Sequence, residues 1–289
     1  MCRPALYFSI LLGLAISLVG CGSMRTSADR EATALGFKSV YLGPPGSELE
    51  AYVHRSPIQQ RELHVYLEGD GQPWLTPHVV SANPNTHNPL MLRLMARDPE
   101  ASIYLVRPCY GTRTMDWSCH PGQWTSARYS LETVTRMALA LDQYARENGI
   151  ARLVLIGHSG GGALAILIAN RLTKVVGVVT LSGNLDTDAW TRYHHYSPLT
   201  GSINPMLDPK LRAYGEQHFL AEKDLEIPLE VSLPAASARV GAQVTVIKGI
   251  DHSCCWEEVW QPAFLLKPTL LSGLGDRHAD SGNGPGAPD

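Results

Sequence analysis

The stretch Leu153-Val154-Leu155-Ile156-Gly157-His158-Ser159-Gly160-Gly161 decides how the rest of the chain is read. Four consecutive aliphatic residues suit a strand buried on both faces of a parallel sheet, because such a strand has no solvent face to keep polar. Gly157-His158-Ser159-Gly160-Gly161 then has the spacing of a nucleophile elbow. A serine on a sharp strand-to-helix turn presents its hydroxyl above the sheet, and glycines two residues to either side let backbone and helix close around it. Leu164, Leu167, Ile168 and Leu172 recur at helical spacing before Arg171 and Lys174 mark the helix end. A phosphate-binding loop is excluded, since no Lys-Ser or Lys-Thr follows the glycines and no Gly-x-Gly-x-x-Gly follows a strand.

Outward from the elbow, strands alternate with helices. Strands are expected at Lys38–Leu42, Leu49–His54, Leu63–Leu67, Ile103–Val106, Val175–Leu181, His218–Ala221 and Gln243–Ile247. Helices are expected near Pro89–Ala96, from an N-cap at Ser130 to about Glu147 with Leu131, Val134, Ala138, Leu141 and Tyr144 on one face, and near Trp256–Phe264. This order predicts a mostly parallel sheet with helices on both faces and antiparallel strands at its start. The alternation breaks at about 184–217, which is rich in aromatics and prolines and suits a small cap, and a long loop at 107–129 carries Cys109, Cys119, Trp117 and Trp124. The domain is expected over 37–271, with a Gly- and Pro-rich tail, 272–289, read as disordered. A length of 289 residues and 44% hydrophobic content can fill a sizeable core, and a net charge of −3 without a basic cluster gives nucleic-acid binding no footing.

The N-terminus reads as an address. Arg3 precedes an apolar segment from Ala5 to Val19, long enough for the core of a signal peptide and short for a membrane span, and it ends in Leu18-Val19-Gly20-Cys21. This resembles the lipobox of bacterial lipoproteins, which implies a signal peptide over 1–20, an acylated (palmitate-type) Cys21 as membrane anchor, and a polar tether over 21–36. Gly22 after the cysteine is similar to lipoproteins sorted to the outer membrane. Export implies an oxidising compartment, so Cys109, Cys119, Cys254 and Cys255 are expected to pair. Neighbouring Cα atoms lie about 3.8 Å apart, below the usual 4.4 to 6.8 Å of a disulfide, so a Cys254–Cys255 bond would be strained. Cys109–Cys119 within one loop is the easier pairing, leaving either that strained pair or two free thiols, with a fully reduced set as the alternative.

An alcohol is a weak nucleophile until a base takes its proton, and a carboxylate must hold that base in one tautomer. His252 follows the last strand by a short turn, on the sheet edge that carries Ser159. Asp224 follows the preceding strand and precedes Leu225-Glu226-Ile227-Pro228; Asp186 is its main rival and Asp251 ranks third. Two N–H donors are needed for the oxyanion of acyl transfer: Gly160, and Asp70 in the turn Glu68-Gly69-Asp70-Gly71 after the third strand, for which a plain glycine turn is the alternative. No metal motif competes, since His194-His195 are adjacent and there is no His-Glu-x-x-His. Trp117, Trp124, Trp190 and Tyr193 suit an acyl pocket or core packing equally.

On these residues the chain resembles α/β-hydrolase lipoproteins, similar to bacterial serine esterases and lipases, over about Lys38 to Phe264. The resemblance implies hydrolysis of a small-molecule or lipid ester without a cofactor, through Ser159, His252 and Asp224, in the bacterial cell envelope. Amide or peptide cleavage by the same triad and a non-catalytic envelope protein are the rival readings; the sequence leaves the oligomeric state open. Two departures stand out. Glu68-Gly69 replaces a common His-Gly before the oxyanion donor, and Ala221 replaces a frequent glycine before the acid.

Overall fold

The structure, a computed structural model, describes residues 26–55, 61–111 and 119–260. The segments read as signal peptide and C-terminal tail, together with Cys21 and Trp117, lie outside those residues.

The elements are, in chain order, α1 (Ser27–Ala34), β1 (Lys38–Leu42), β2 (Leu49–Arg55), β3 (Glu62–Leu67), β4 (Trp74–Thr76), β5 (Val79–Val80), α2 (Leu90–Met95), β6 (Ser102–Leu105), α3 (Leu131–Glu147), β7 (Arg152–His158), α4 (Gly160–Ala169), β8 (Val175–Leu181), α5 (Thr187–Tyr193), β9 (Gly215–Ala221), α6 (Leu229–Ser237), β10 (Gln243–Ile247) and α7 (Trp256–Val259). A 3-10 turn spans Pro121–Trp124. The main sheet has the order β1-β2-β6-β3-β7-β8-β9-β10. β1 and β2 are antiparallel, β2 is antiparallel to β6, and all pairs from β6 through β10 are parallel. The parallel strands therefore end at one edge, where their connecting loops meet.

β7 shows why the aliphatic run was needed. Leu153 and Leu155 face a core built with Val134, Met137 and Leu141 of α3 and with α4. Val154 and Ile156 face the opposite core, with Leu90–Met95, Trp256 and Trp260. Side chains alternate across a strand, so a strand covered by helices on both sides needs an apolar residue at every position. Burial of each such side chain is worth about 1.5–3 kcal/mol. A Cβ on Gly157 would lie 2.2 Å from the Gly161 carbonyl oxygen, so only glycine lets α4 turn back this tightly over β7.

Several expectations need correction. The second half of the expected tether is helix α1: Thr26 Oγ1 accepts the Asp29 N–H at 3.0 Å, and Ala28 and Ala32, one turn apart, are buried. A two-alanine stripe is enough to dock a helix, yet it leaves the composition polar. β9 starts at Gly215, inside the expected cap, because Glu216 enters the strand fully buried and is neutralised by Lys210 Nζ at 2.7 Å and by Arg239. The hairpin β4–β5 and helix α6 were not anticipated; Pro234 inside α6 argues against a helix in sequence. Ser130 caps α3 as expected, through its hydroxyl and the Thr133 N–H, but Leu131 is 60% exposed and the buried stripe runs through Val134, Met137, Leu141 and Ala145.

Candidate active site

The elbow forms between the last residue of β7 and the first of α4. Ser159 has φ 54° and ψ −121°, a conformation that is strained for any residue with a side chain. That turn lifts Ser159 to the edge where the parallel strands end.

His252 and Asp224 reach the same edge from the ends of β10 and β9. His252 Nδ1 donates to Asp224 Oδ2 at 2.8 Å. The other carboxylate oxygen accepts the N–H groups of Glu226 at 2.9 Å and Ile227 at 2.8 Å, so its orientation is set by backbone. Burial works to raise the Asp224 pKa; the His252 hydrogen bond and charge, with the Ile227 N–H, outweigh it and hold the carboxyl below its usual value. An ionised acceptor on Nδ1–H leaves Nε2 as the basic nitrogen. Ser159 Oγ makes no hydrogen bond among the described residues; contacts between nucleophile and base are often loose without substrate.

The rival acids have other roles. Asp186 caps α5, its Oδ1 accepting the N–H groups of Asp188 and Ala189 and the Asn204 amide at 2.9 Å. Asp251 turns to its own loop, accepting from Ser253 N–H at 2.9 Å and Cys254 N–H at 2.8 Å. His194 Nε2 bonds the Glu226 carbonyl at 2.9 Å. Both expected possibilities for the cysteines are resolved: Cys109 pairs with Cys119 at a Cα separation of 5.5 Å, and Cys254 pairs with Cys255.

The glycine turn after β3 lies against the elbow. The Asp70 and Gly160 N–H groups, the two expected oxyanion donors, meet no acceptor among the described residues. A Cβ on Gly160 would sit 2.0 Å from Asp70 Oδ1 and 2.5 Å from the Tyr129 hydroxyl, so this position accepts glycine alone. The side chain of Asp70, for which the sequence suggested no role, is the anchor of the turn. Its oxygens take Arg107 at 2.7 Å, Arg128 at 2.8 Å and the Tyr129 hydroxyl at 2.5 Å. Burial alone would raise its pKa; the two guanidinium charges and the Tyr129 bond bring it to about 2. Arg107 also donates to the carbonyls of Glu68 at 2.8 Å and Gly69 at 3.1 Å, and the Tyr110 hydroxyl donates to that of Asp70 at 3.0 Å. With every carbonyl from Glu68 to Asp70 tied, the intervening N–H groups are held in fixed directions. Glu68, standing where a histidine is common, accepts the Met91 N–H at 3.1 Å and so serves the start of α2; burial raises its pKa to about 7.

His158, the residue before Ser159 in the elbow, was also overlooked. Its ring lies 4.7 Å from that of His252, and its Nε2 donates to the His252 carbonyl at 2.8 Å, while Trp256 Nε1 donates to the same oxygen at 3.1 Å. Burial and the neighbouring His252 lower its pKa to about 3, so it stays neutral and keeps its Nε2 proton for that bond. Its place beside Ser159 was the available signal, but its partner lies 94 residues away.

Comparison with known proteins gives the family and the fold. Residues 87–262 match the model of the alpha/beta hydrolase family. The chain belongs to that family. Among solved structures, an esterase of Pyrococcus furiosus is similar at 12% identity and a TM-score of 0.55, covering 78% of this chain and 88% of its own. A membrane phospholipase A, described as a bacterial virulence factor, is similar at 14% identity and 0.54, covering 92% and 96%. The acylaminoacyl peptidase of Pyrococcus horikoshii is similar at 13% identity and 0.54, covering 79% of this chain; the chain spans 39% of that protein's length. At such identities these likenesses establish the alpha/beta hydrolase fold. A search of curated proteins found no match.

Proposed function

We propose that this alpha/beta hydrolase is a serine hydrolase of carboxylic esters, anchored by a lipidated Cys21 in the bacterial cell envelope at the outer membrane. In this reading Ser159 Oγ attacks the ester carbonyl and passes its proton to His252 Nε2. Asp224 holds the Nδ1 proton and offsets the imidazolium charge. The Asp70 and Gly160 backbone N–H groups receive the oxyanion; where an oxyanion hole includes a side-chain donor, removing it typically costs about 3–4 kcal/mol in the transition state. Collapse breaks the ester C–O bond, the leaving alcohol takes the proton from His252, and water repeats the sequence on the acyl-serine to release the acid.

The observation that carries this reading is the 2.8 Å Asp224–His252 pair at the sheet edge that also holds a positive-φ serine. The test is labelling by a fluorophosphonate probe, with Ser159→Ala as control and a panel of acyl esters and peptide amides as competitors. Ser159-dependent labelling blocked best by esters is the expected result. Folded protein without such labelling overturns the enzyme, and stronger competition by peptides moves the chemistry to amide cleavage. The anchor is tested by labelled palmitate, whose incorporation Cys21→Ser should abolish.

A further inference from the structure

We propose that the face around the active-site mouth rests on the lipid bilayer, so that the esters hydrolysed are acyl lipids drawn from that bilayer. This rests on the esterase and Cys21 anchor readings above.

The hairpin β4–β5 follows the Asp70 turn directly and is tied back to it: Gln72 N–H donates to the Pro84 carbonyl and Ser81 N–H to the Pro73 carbonyl, both at 2.9 Å, and Trp124 Nε1 to the Ser81 carbonyl at 3.0 Å. It is thus fixed beside the oxyanion donors. Yet Trp74 is 42% exposed, Leu75 56% and Val79 49%. Three large apolar residues on a seven-residue hairpin do nothing for the core; they suit an interface where indole sits among headgroups and aliphatic chains reach below them. From Gly71 through Leu92 the chain has no Asp, Glu, Lys or Arg, although 18% of the protein is charged. Pressing the hairpin against lipid therefore desolvates no ion of its own. Across the mouth, Leu225, next to Asp224, is 83% exposed.

The course of the chain names the occupant. Ala28 in the first turn of α1 lines one cleft with Glu68, Gly69 and Thr86, whereas Phe37, past the helix end, packs on His54 at the far end of β2. The chain thus enters the domain at the active-site edge. Cys21 precedes Thr26 by five residues, a reach of at most about 17 Å. An acylated Cys21 holds that edge, and the hairpin on it, at headgroup level. The lipid anchor supplies the affinity, and the hairpin sets which face meets the bilayer.

The test uses the full lipidated protein in vesicles of phosphatidylethanolamine and phosphatidylglycerol, 3:1 in composition, with and without a shallow spin-labelled phospholipid (on the order of 5–10 mol%) that quenches nearby indoles. The contribution of Trp74, read as wild type minus Trp74→Phe, should be quenched at least about two-fold. Leu75→Asp should remove most of that quenching and slow turnover of vesicle phospholipid about ten-fold or more, with turnover of a short soluble ester kept within about two-fold. Val240→Asp, at a still more exposed apolar residue on the opposite sheet edge, should change neither. Unquenched Trp74, equal effects of Leu75→Asp and Val240→Asp, or a cross-linked dimer that Leu75→Asp dissolves would each overturn the proposal, the last by showing a second copy on this face. Failure of the esterase reading is distinct: neither substrate would show Ser159-dependent turnover, whatever the quenching.

Discussion

Among the described residues, two histidine–aspartate pairs of nearly the same local geometry stand at opposite edges of one sheet. His252 Nδ1 meets Asp224 at 2.8 Å, and His64 Nδ1 meets Asp98 at 2.6 Å. Both aspartates are fully buried. The difference lies at the second ring nitrogen. His64, on β3 at the edge where the parallel strands begin, faces Glu62 with Nε2 at 3.5 Å, and its Asp98 also takes the Tyr66 hydroxyl at 2.7 Å. Burial alone would lower the His64 pKa; two carboxylates overcome it and raise the value to about 9, leaving an imidazolium with both N–H groups engaged. His252 has one carboxylate, a side chain 17% exposed, and an Nε2 that bonds nothing among the described residues. A histidine–aspartate pair becomes a candidate base only where the far nitrogen is free and a nucleophile stands beside it.

The contrast is broken most severely at His252. His252→Ala should lower kcat on a soluble ester by about 10⁴-fold or more while leaving the thermal midpoint within a few degrees. Asp224→Asn, which keeps the shape but permits the wrong tautomer, should cost about 10⁴-fold in kcat. If either variant keeps most of its activity, the pair at this edge is structural like the other.

Substitutions at the other pair should invert the pattern. His64→Ala should leave the activity of the folded fraction intact and lower stability by about 3–5 kcal/mol in a urea titration, since it strands a buried carboxylate. The same pair predicts a pH dependence. A folded pKa raised to about 9 from the ordinary 6.5 means that its stabilisation is fully present below 6.5 and is lost as pH rises through 9. The loss is about 3 kcal/mol, and it should vanish from the difference between pH 6 and pH 10 stability curves in His64→Ala.

The smallest expected effect is at His158. His158→Asn, too short to reach the His252 carbonyl, removes one buried hydrogen bond worth about 1–3 kcal/mol. Loss of kcat of about ten-fold with KM unchanged is expected if that bond aims the base; a change in stability alone assigns His158 to packing.

The candidate nucleophile, base and acid were legible because each follows a strand whose pattern is local: an aliphatic run before Ser159, strand ends before Asp224 and His252. What holds the glycine turn beside them was not. Arg107, Arg128 and Tyr129 stand 37, 58 and 59 residues from Asp70, and no local period links a carboxylate to cations that far along the chain. Helix α1 and the start of β9 were hidden for a related reason. One buries only small alanines and the other carries a glutamate made tolerable by distant Lys210 and Arg239.

From the sequence alone came the alternation of strands and helices, the doubly covered central strand and the elbow, because side-chain periodicity and glycine's permitted backbone angles act over a few residues. The tertiary structure alone decided which of two chemically equivalent histidine–aspartate pairs keeps a nitrogen open, and which cations steady the Asp70 turn. Those outcomes depend on burial and on charges brought together by the sheet, and neither is encoded in any single segment.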